Sequence, residues 1–231
     1  MAKAVDSAYR AIKEGILGGV FAQGSHITAR QLAEATGLSR TPVREAMRQL
    51  DAEGLINVVP NRGAFVASWT ENEIEQIYEL RVLLESFAAQ VAAERINDDQ
   101  CKELEELANE MSRLVERRPV DVDAIAEVND RFHKGVLEAC HNPRLRDLLG
   151  AITELPLQLR TFKRYSVEQL QRSAAQHAEL VLALKVGDGD WARSVMGAHI
   201  RSARHTLLHA PVETSPPTTD EAAAAGAEAV T

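Results

Sequence analysis

The chain is poor in the features that mark several protein classes. Only two of its 231 residues are cysteine, Cys101 and Cys140, with neither the number for a disulfide framework nor a Cys-x-x-Cys spacing for metal. Structural thiols are expected. No apolar run reaches the ~20 residues of a membrane span, and Met1–Arg10 lacks the apolar core of a signal peptide, which points to the cytosol. An excess of positive charge is missing too: the formal net charge is −8. What remains is a globular composition, 45% hydrophobic and 26% charged.

The charge is unevenly placed. Residues 1–69 carry eight basic and six acidic side chains, a net +2, which leaves −10 on the rest. Such asymmetry predicts different partners for the two parts.

Residues 1–69 read as three helices and two strands. Val5–Leu17 has helical apolar spacing and ends at Gly18-Gly19; Thr28–Ala35 follows with Thr28 as N-cap. Gly37 makes a turn, Ser39 caps a third helix, and Gly54 stops it. Leu55–Val59 and Ala64–Ala67 are β-rich around Pro60-Asn61-Arg62-Gly63, which predicts a hairpin. Thr70 with Glu73 forms a capping box, and helical periodicity then continues to His209. Breaks near Asn97–Asp99, Arg118–Pro119, Asn142–Pro143, Ser166 and Gly187–Asp190 divide it into six helices. Residues 210–231, rich in Pro, Thr, Ser and Ala, have no means of burying a core and are expected to be disordered. The fold class is therefore mainly α, with an N-terminal winged helix-turn-helix (1–69) and a C-terminal antiparallel six-helix bundle (70–209).

Ala33, Gly37 and the apolar set Leu32, Leu38, Val43 and Met47 supply what a helix-turn-helix needs at its crossing, its turn and its seam. On the second helix of that unit, Arg40, Arg44 and Arg48 recur every four residues and share one stripe. Arg40 and Arg44 lie near its N-terminus, the end that recognition helices present to DNA. Thr41 can reach a phosphate, Pro42 suits the first turn, and Arg30 could reach the same backbone. Arg62 would be carried towards the adjacent minor groove, with Gly63 allowing close approach. The alternative is a solvated stripe paired with Glu45, Asp51 or Glu53.

The stretch from Thr28 through Ser39-Arg-Thr-Pro-Val-Arg-Glu-Ala to Leu50, with Glu53-Gly-Leu-Ile and the wing Asn61-Arg-Gly-Ala-Phe-Val, resembles the GntR family of bacterial regulators. The resemblance implies DNA contact by Arg30, Arg40, Thr41, Arg44 and Gly63. Together with the stripe and its flanks, the DNA-contacting candidates are Arg30, Ser39, Arg40, Thr41, Pro42, Arg44, Arg48, Arg62 and Gly63.

In the helical part, Ile74, Ile77, Leu84, Ala88 and Val91 mark an apolar stripe, and Arg81 lies on it. A charge facing the core needs a partner: either Glu85, one turn on, or the carboxylate of a bound effector. Asn129 and His133 share a helix face, while His177 and His199 fall in two later helices. Three imidazoles from different helices can converge on a metal, or be ordinary core and surface histidines. His205 and His209 form a competing pair, but His205 is about 120° around the helix from His199.

Asn129-Asp-Arg-Phe-His133, Ala139-Cys-His-Asn-Pro-Arg-Leu, Gln176-His177, Gly189-Asp-Trp-Ala and Met196-Gly-Ala-His199 together resemble the FCD sensor domain of FadR-type GntR regulators, in its shorter, VanR-like version of six helices. That resemblance implies a divalent metal (zinc, nickel or manganese) held by Asn129, His133, His177 and His199; Asn129 stands in place of a frequent Asp, and Asp130 is the alternative fourth ligand. It also implies a small carboxylate effector at the metal with Arg81 and Arg160, and a homodimer on a palindromic DNA operator. The expected function is repression controlled by a metabolite. Two rivals remain: a metal-dependent hydrolase, for which no general base is placed by spacing, and a protein-binding winged helix, against which the arginine stripe argues.

Overall fold

The computed structural model describes residues 2–60, 62–153 and 155–209. The expected disordered tail, 210–231, and Asn61 at the hairpin tip lie outside them.

The first unit contains α1 (Ala2–Leu17), β1 (His26–Ile27), α2 (Ala29–Thr36), α3 (Arg40–Ala52), β2 (Ile56–Val59) and β3 (Gly63–Val66). Ile12, Leu32, Val43, Leu50, Leu55, Ile56 and Val66 form its buried core. Thr28 caps α2, accepting from the Gln31 amide while Gln31 reciprocates, and Gly37 ends it in the left-handed conformation at φ 68°. The sheet has three strands among the described residues, where two are expected, in the order β1-β3-β2. β1 pairs His26 with Phe65 and Ile27 with Ala64. Two residues are too few for alternation to register in sequence.

The second unit comprises α4 (Glu71–Arg95), α5 (Asp98–Glu116), α6 (Val122–Ala139), α7 (Pro143–Ile152), α8 (Leu155–Arg164), α9 (Val167–Lys185) and α10 (Gly189–His209). Its own core runs from Ile74 and Tyr78 through Met111, Phe132 and Leu157 to Leu207. α4 lies along α10, and α5 packs on α6 and α9. The capping box at Thr70 and Glu73 forms as expected.

Six helices were expected here and seven occur among the described residues, because the segment between Asn142 and Ser166 is two. Thr153 is extended at ψ 109° and ends α7. Pro156 has no N–H to return to the carbonyl of Ile152, so a helix containing it must begin just before it. Both cysteines are buried free thiols. No helix of the described residues is long and apolar enough to cross a membrane.

Candidate nucleic-acid interface and metal centre

α3 turns Pro42, Val43, Ala46, Met47 and Leu50 into the core of the first unit and leaves Arg40, Thr41, Arg44 and Arg48 exposed. The stripe is thus a free edge. Ser39 begins α3 by its extended backbone alone; its hydroxyl makes no capping bond and is exposed. Pro42, a candidate contact, is buried, so it sets the first turn and does not face a groove.

Arg48 pairs with Glu45 at 2.9 Å and Arg30 with Glu34 at 2.8 Å. Both pairs are exposed, and water screens them enough for a phosphate to replace either carboxylate. Among the described residues Arg40, Arg44 and Arg62 have no ion-pair partner. Two acids that could have masked the stripe are used elsewhere. Asp51 accepts the Val58 amide at 2.7 Å, tying α3 to the wing, and Glu53 accepts the Tyr9 hydroxyl at 2.7 Å.

Gly63 has an internal explanation. Its φ is 93°, and a Cβ there would stand 2.8 Å from the Ile27 carbonyl oxygen. The glycine is required by β1 packed beside it, whatever the approach of DNA. Arg62 remains exposed, and its carbonyl meets the His26 ring.

In the second unit, His133 from α6, His177 from α9 and His199 from α10 bring ligand nitrogens within 4.8 Å of one another. Each outer nitrogen is already engaged. His133 Nδ1 donates to Glu85 Oε2 at 2.6 Å, His177 Nδ1 to the Ser173 carbonyl at 2.7 Å, and His199 Nδ1 to Gln176 Oε1 at 3.2 Å. Protons held on Nδ1 leave the Nε2 lone pairs facing inward. His133 and His199 then oppose two Nε2 atoms at 3.3 Å, roughly the separation of two imidazoles each ~2.0–2.1 Å from one tetrahedral ion. His177 Nε2 is buried with no hydrogen-bond partner among the described residues, and so is Asn129 Oδ1, one turn before His133. The residues fit a cation. Asp130, the possible substitute for Asn129, is paired with Lys134 at 2.6 Å.

The electrostatics agree. Burial, with the neighbouring His133 adding to it, pushes His177 down to about 3. Burial and then His177 and His133 hold His199 well below the usual imidazole range. Burial alone would raise Glu85, but the Arg81 charge, His133 and their hydrogen bonds outweigh it and bring the carboxyl to about 2.

Arg81 is 5% exposed and pairs with Glu85 at 2.7 Å, which is the ion-pair alternative. Arg81, Glu85 and His133 also line a cavity of about 210 Å³ with Ala88, Val136, Leu149 and Met196 among its apolar walls. Arg160 does not reach that cavity. It lies over the Trp69 ring in another cleft, so the two candidate effector residues are not brought together. His205 and His209 stack on each other at the end of α10, outside the cluster.

Sequence reasoning missed the outer acceptors. Helical spacing sets Glu85 only against Arg81, although one carboxylate serves both Arg81 and His133 through different oxygens. Gln176 was legible as the neighbour of His177, but its contact is with His199.

Comparison with known proteins gives two family matches: residues 4–66 match the bacterial regulatory proteins of the gntR family, and residues 76–202 match the FCD domain. The galactonate operon transcriptional repressor of Escherichia coli K12 is 31% identical over 215 residues, covering 83% of this chain and 91% of that protein. The HTH-type transcriptional repressor RspR of the same organism is 25% identical over 207 residues, covering 90% of each. The solved structure of E. coli McbR/YncC superposes with a TM-score of 0.63 at 22% identity, covering 90% of this chain and 98% of that one, which shows the shared fold.

Proposed function

Because the chain belongs to the GntR family of bacterial transcription regulators and carries an FCD sensor domain, we propose that it is a metal-containing, metabolite-controlled repressor working in the cytoplasm. DNA binding and regulation, not enzymatic turnover, are what membership of this family means. Residues 1–69 act as the reader and 70–209 as the sensor.

One observation carries the sensor part: three imidazoles from three helices point Nε2 inward while the outer nitrogen of each is tied to a fixed acceptor. His133, His177 and His199 would hold a divalent ion, with Asn129 Oδ1 as a fourth donor. Zinc suits a nitrogen-rich set of this kind best, ahead of nickel and manganese. When bound, the ion supplies a Lewis-acidic position for a carboxylate. This chain's residues then do the rest. The 210 Å³ cavity beside His133 receives the body of a small carboxylate effector, and the Arg81–Glu85 pair fixes the orientation of the His133 ring.

In the reader, Arg40 and Arg44 enter the major groove, Arg30, Ser39, Thr41 and Arg48 hold phosphates, and Arg62 reaches the neighbouring minor groove. A homodimer places two readers on palindromic half-sites about one helical turn apart. Support for the dimer comes from α4, where Leu80, Leu83 and Phe87 form an exposed apolar stripe. Effector binding changes the relative placement of the readers and relieves repression.

Elemental analysis of the purified protein tests the carrying observation. About one divalent ion per chain is expected, with His177→Ala and His199→Ala losing most of it. A wild-type protein that stays metal-free and shows no rise in melting temperature when zinc is supplied contradicts the reading.

A further inference from the structure

A cleft of about 350 Å³ separates the C-terminal end of α1 and its following turn from α8. Phe21, Leu55 and Trp69 wall one side. Arg160, Lys163 and Arg164 come from the other, spaced three and four residues apart on one helix face. No acidic side chain lines the cleft among the described residues.

The charges are incompletely served. Arg164 donates to the Leu207 carbonyl. Arg160 has only the Trp69 ring, 5.8 Å from its guanidinium, and its Nη1 is screened from solvent without a hydrogen-bond partner among the described residues. Burial and the neighbouring Arg164 push Arg160 down to about 10, the sign of a cation lacking a counter-charge. Desolvating a guanidinium beside another without an anion is costly. We propose that this cleft is a second ligand site, separate from the histidine cluster, and that it binds a compact oxyanion carrying two or more negative charges, a polycarboxylate or a phosphate compound. Arg160 and Arg164 supply forked donors and Lys163 a mobile charge at the mouth. Trp69 and Phe21 exclude water behind them.

The position gives the site a consequence. Its walls belong to both units, since Leu55 and Phe21 pack with the reader's core and Arg160 and Arg164 stand on a sensor helix. An anion held there ties the reader to the sensor, so its binding energy differs between arrangements of the two units.

The two tryptophans are Trp69 and Trp191, so full-length protein carrying Trp191→Phe reports on the cleft alone. Its emission is titrated with citrate and with pyrophosphate, against sodium chloride of matched ionic strength. A saturable change with one or both anions is expected; which anion responds identifies the carboxylate or the phosphate source. Arg160→Gln and Arg164→Gln should each weaken it roughly tenfold or more, and His177→Ala should leave it unchanged. Circular dichroism checks each fold, and Arg164→Gln decides if Arg160→Gln does not fold. A response matched by sodium chloride, retained in the folded arginine variants, or abolished with His177 overturns the proposal. Loss of metal from His177→Ala without loss of the anion response separates this site from the reading of the histidine cluster.

Discussion

Glu85 serves two partners at once: the buried Arg81 guanidinium on one oxygen and the His133 ring N–H on the other. Removing it by Glu85→Ala leaves Arg81 desolvated and unpaired, and the expected loss is about 3–5 kcal/mol, measured by urea unfolding. Replacing both partners (Arg81→Met with Glu85→Leu) should cost clearly less than Glu85→Ala alone; an equal or larger loss would show that burial of the charge is not the cause. The histidines set the pH dependence of metal-free protein. His177 titrates at about 3 when folded, against an ordinary value near 6.5. The unfolded chain therefore takes up the proton first, and stability is complete above about 6.5 and falls as pH drops towards 3. Glu85, held at about 2, loses its contribution in the same direction below about 4.5. Melting temperature of chelated protein should fall from pH 7 to pH 5, less steeply in His177→Gln; a flat profile contradicts buried neutral imidazoles. At this scale the sequence showed which residue types were charged and on a core face, as with Arg81. It did not show that Ser173 would give its carbonyl to His177, because a main-chain acceptor leaves no trace in residue identity.

Elements were most legible where a cap or a turn glycine announces them. The Thr70–Glu73 capping box, the Thr28 N-cap and Gly37 at φ 68° stand where the spacing placed them; that Gln31 completes a second capping box is added by the structure. Thr70→Ala should cost about 1 kcal/mol, read as a shift in denaturation midpoint without a change of slope. Legibility failed at two places with opposite physics. β1 is too short for periodicity and exists because β3 offers an edge. The sequence reading places no break between Asn142 and Ser166, although Pro156 stands at the start of α8 and marks the division from α7. Gly63 sits between these cases: its importance was visible, its reason was not. Gly63→Ala should destabilise the wing by about 1–3 kcal/mol, since a left-handed φ and the Ile27 carbonyl both oppose a Cβ. An unaffected melting curve would mean that β1 yields easily.

Two cores and a cleft lined from both give the chain two units, and the proposed repressor needs a second copy to read a palindrome. Leu80, Leu83 and Phe87 project from α4 with 46%, 63% and 44% exposure, an apolar stripe left uncovered among the described residues. Leu83→Glu with Phe87→Glu should convert a dimer to a monomer in light scattering and weaken binding to a palindromic duplex, with the fold retained. A wild-type monomer at micromolar concentration contradicts the arrangement. At this scale, the charge division between residues 1–69 and the remainder already separated reader from sensor, but the total of −8 concealed it. The decisive measurement is titration of a labelled duplex from the protein's own promoter region, followed by anisotropy over a range of salt. Tight binding that falls steeply as salt rises is expected. Arg44→Ala and Arg40→Ala should each lose about 1–3 kcal/mol on that duplex, with a smaller effect on an unrelated one. Equal affinity of wild type and both variants for the promoter duplex, at every salt concentration, would contradict it.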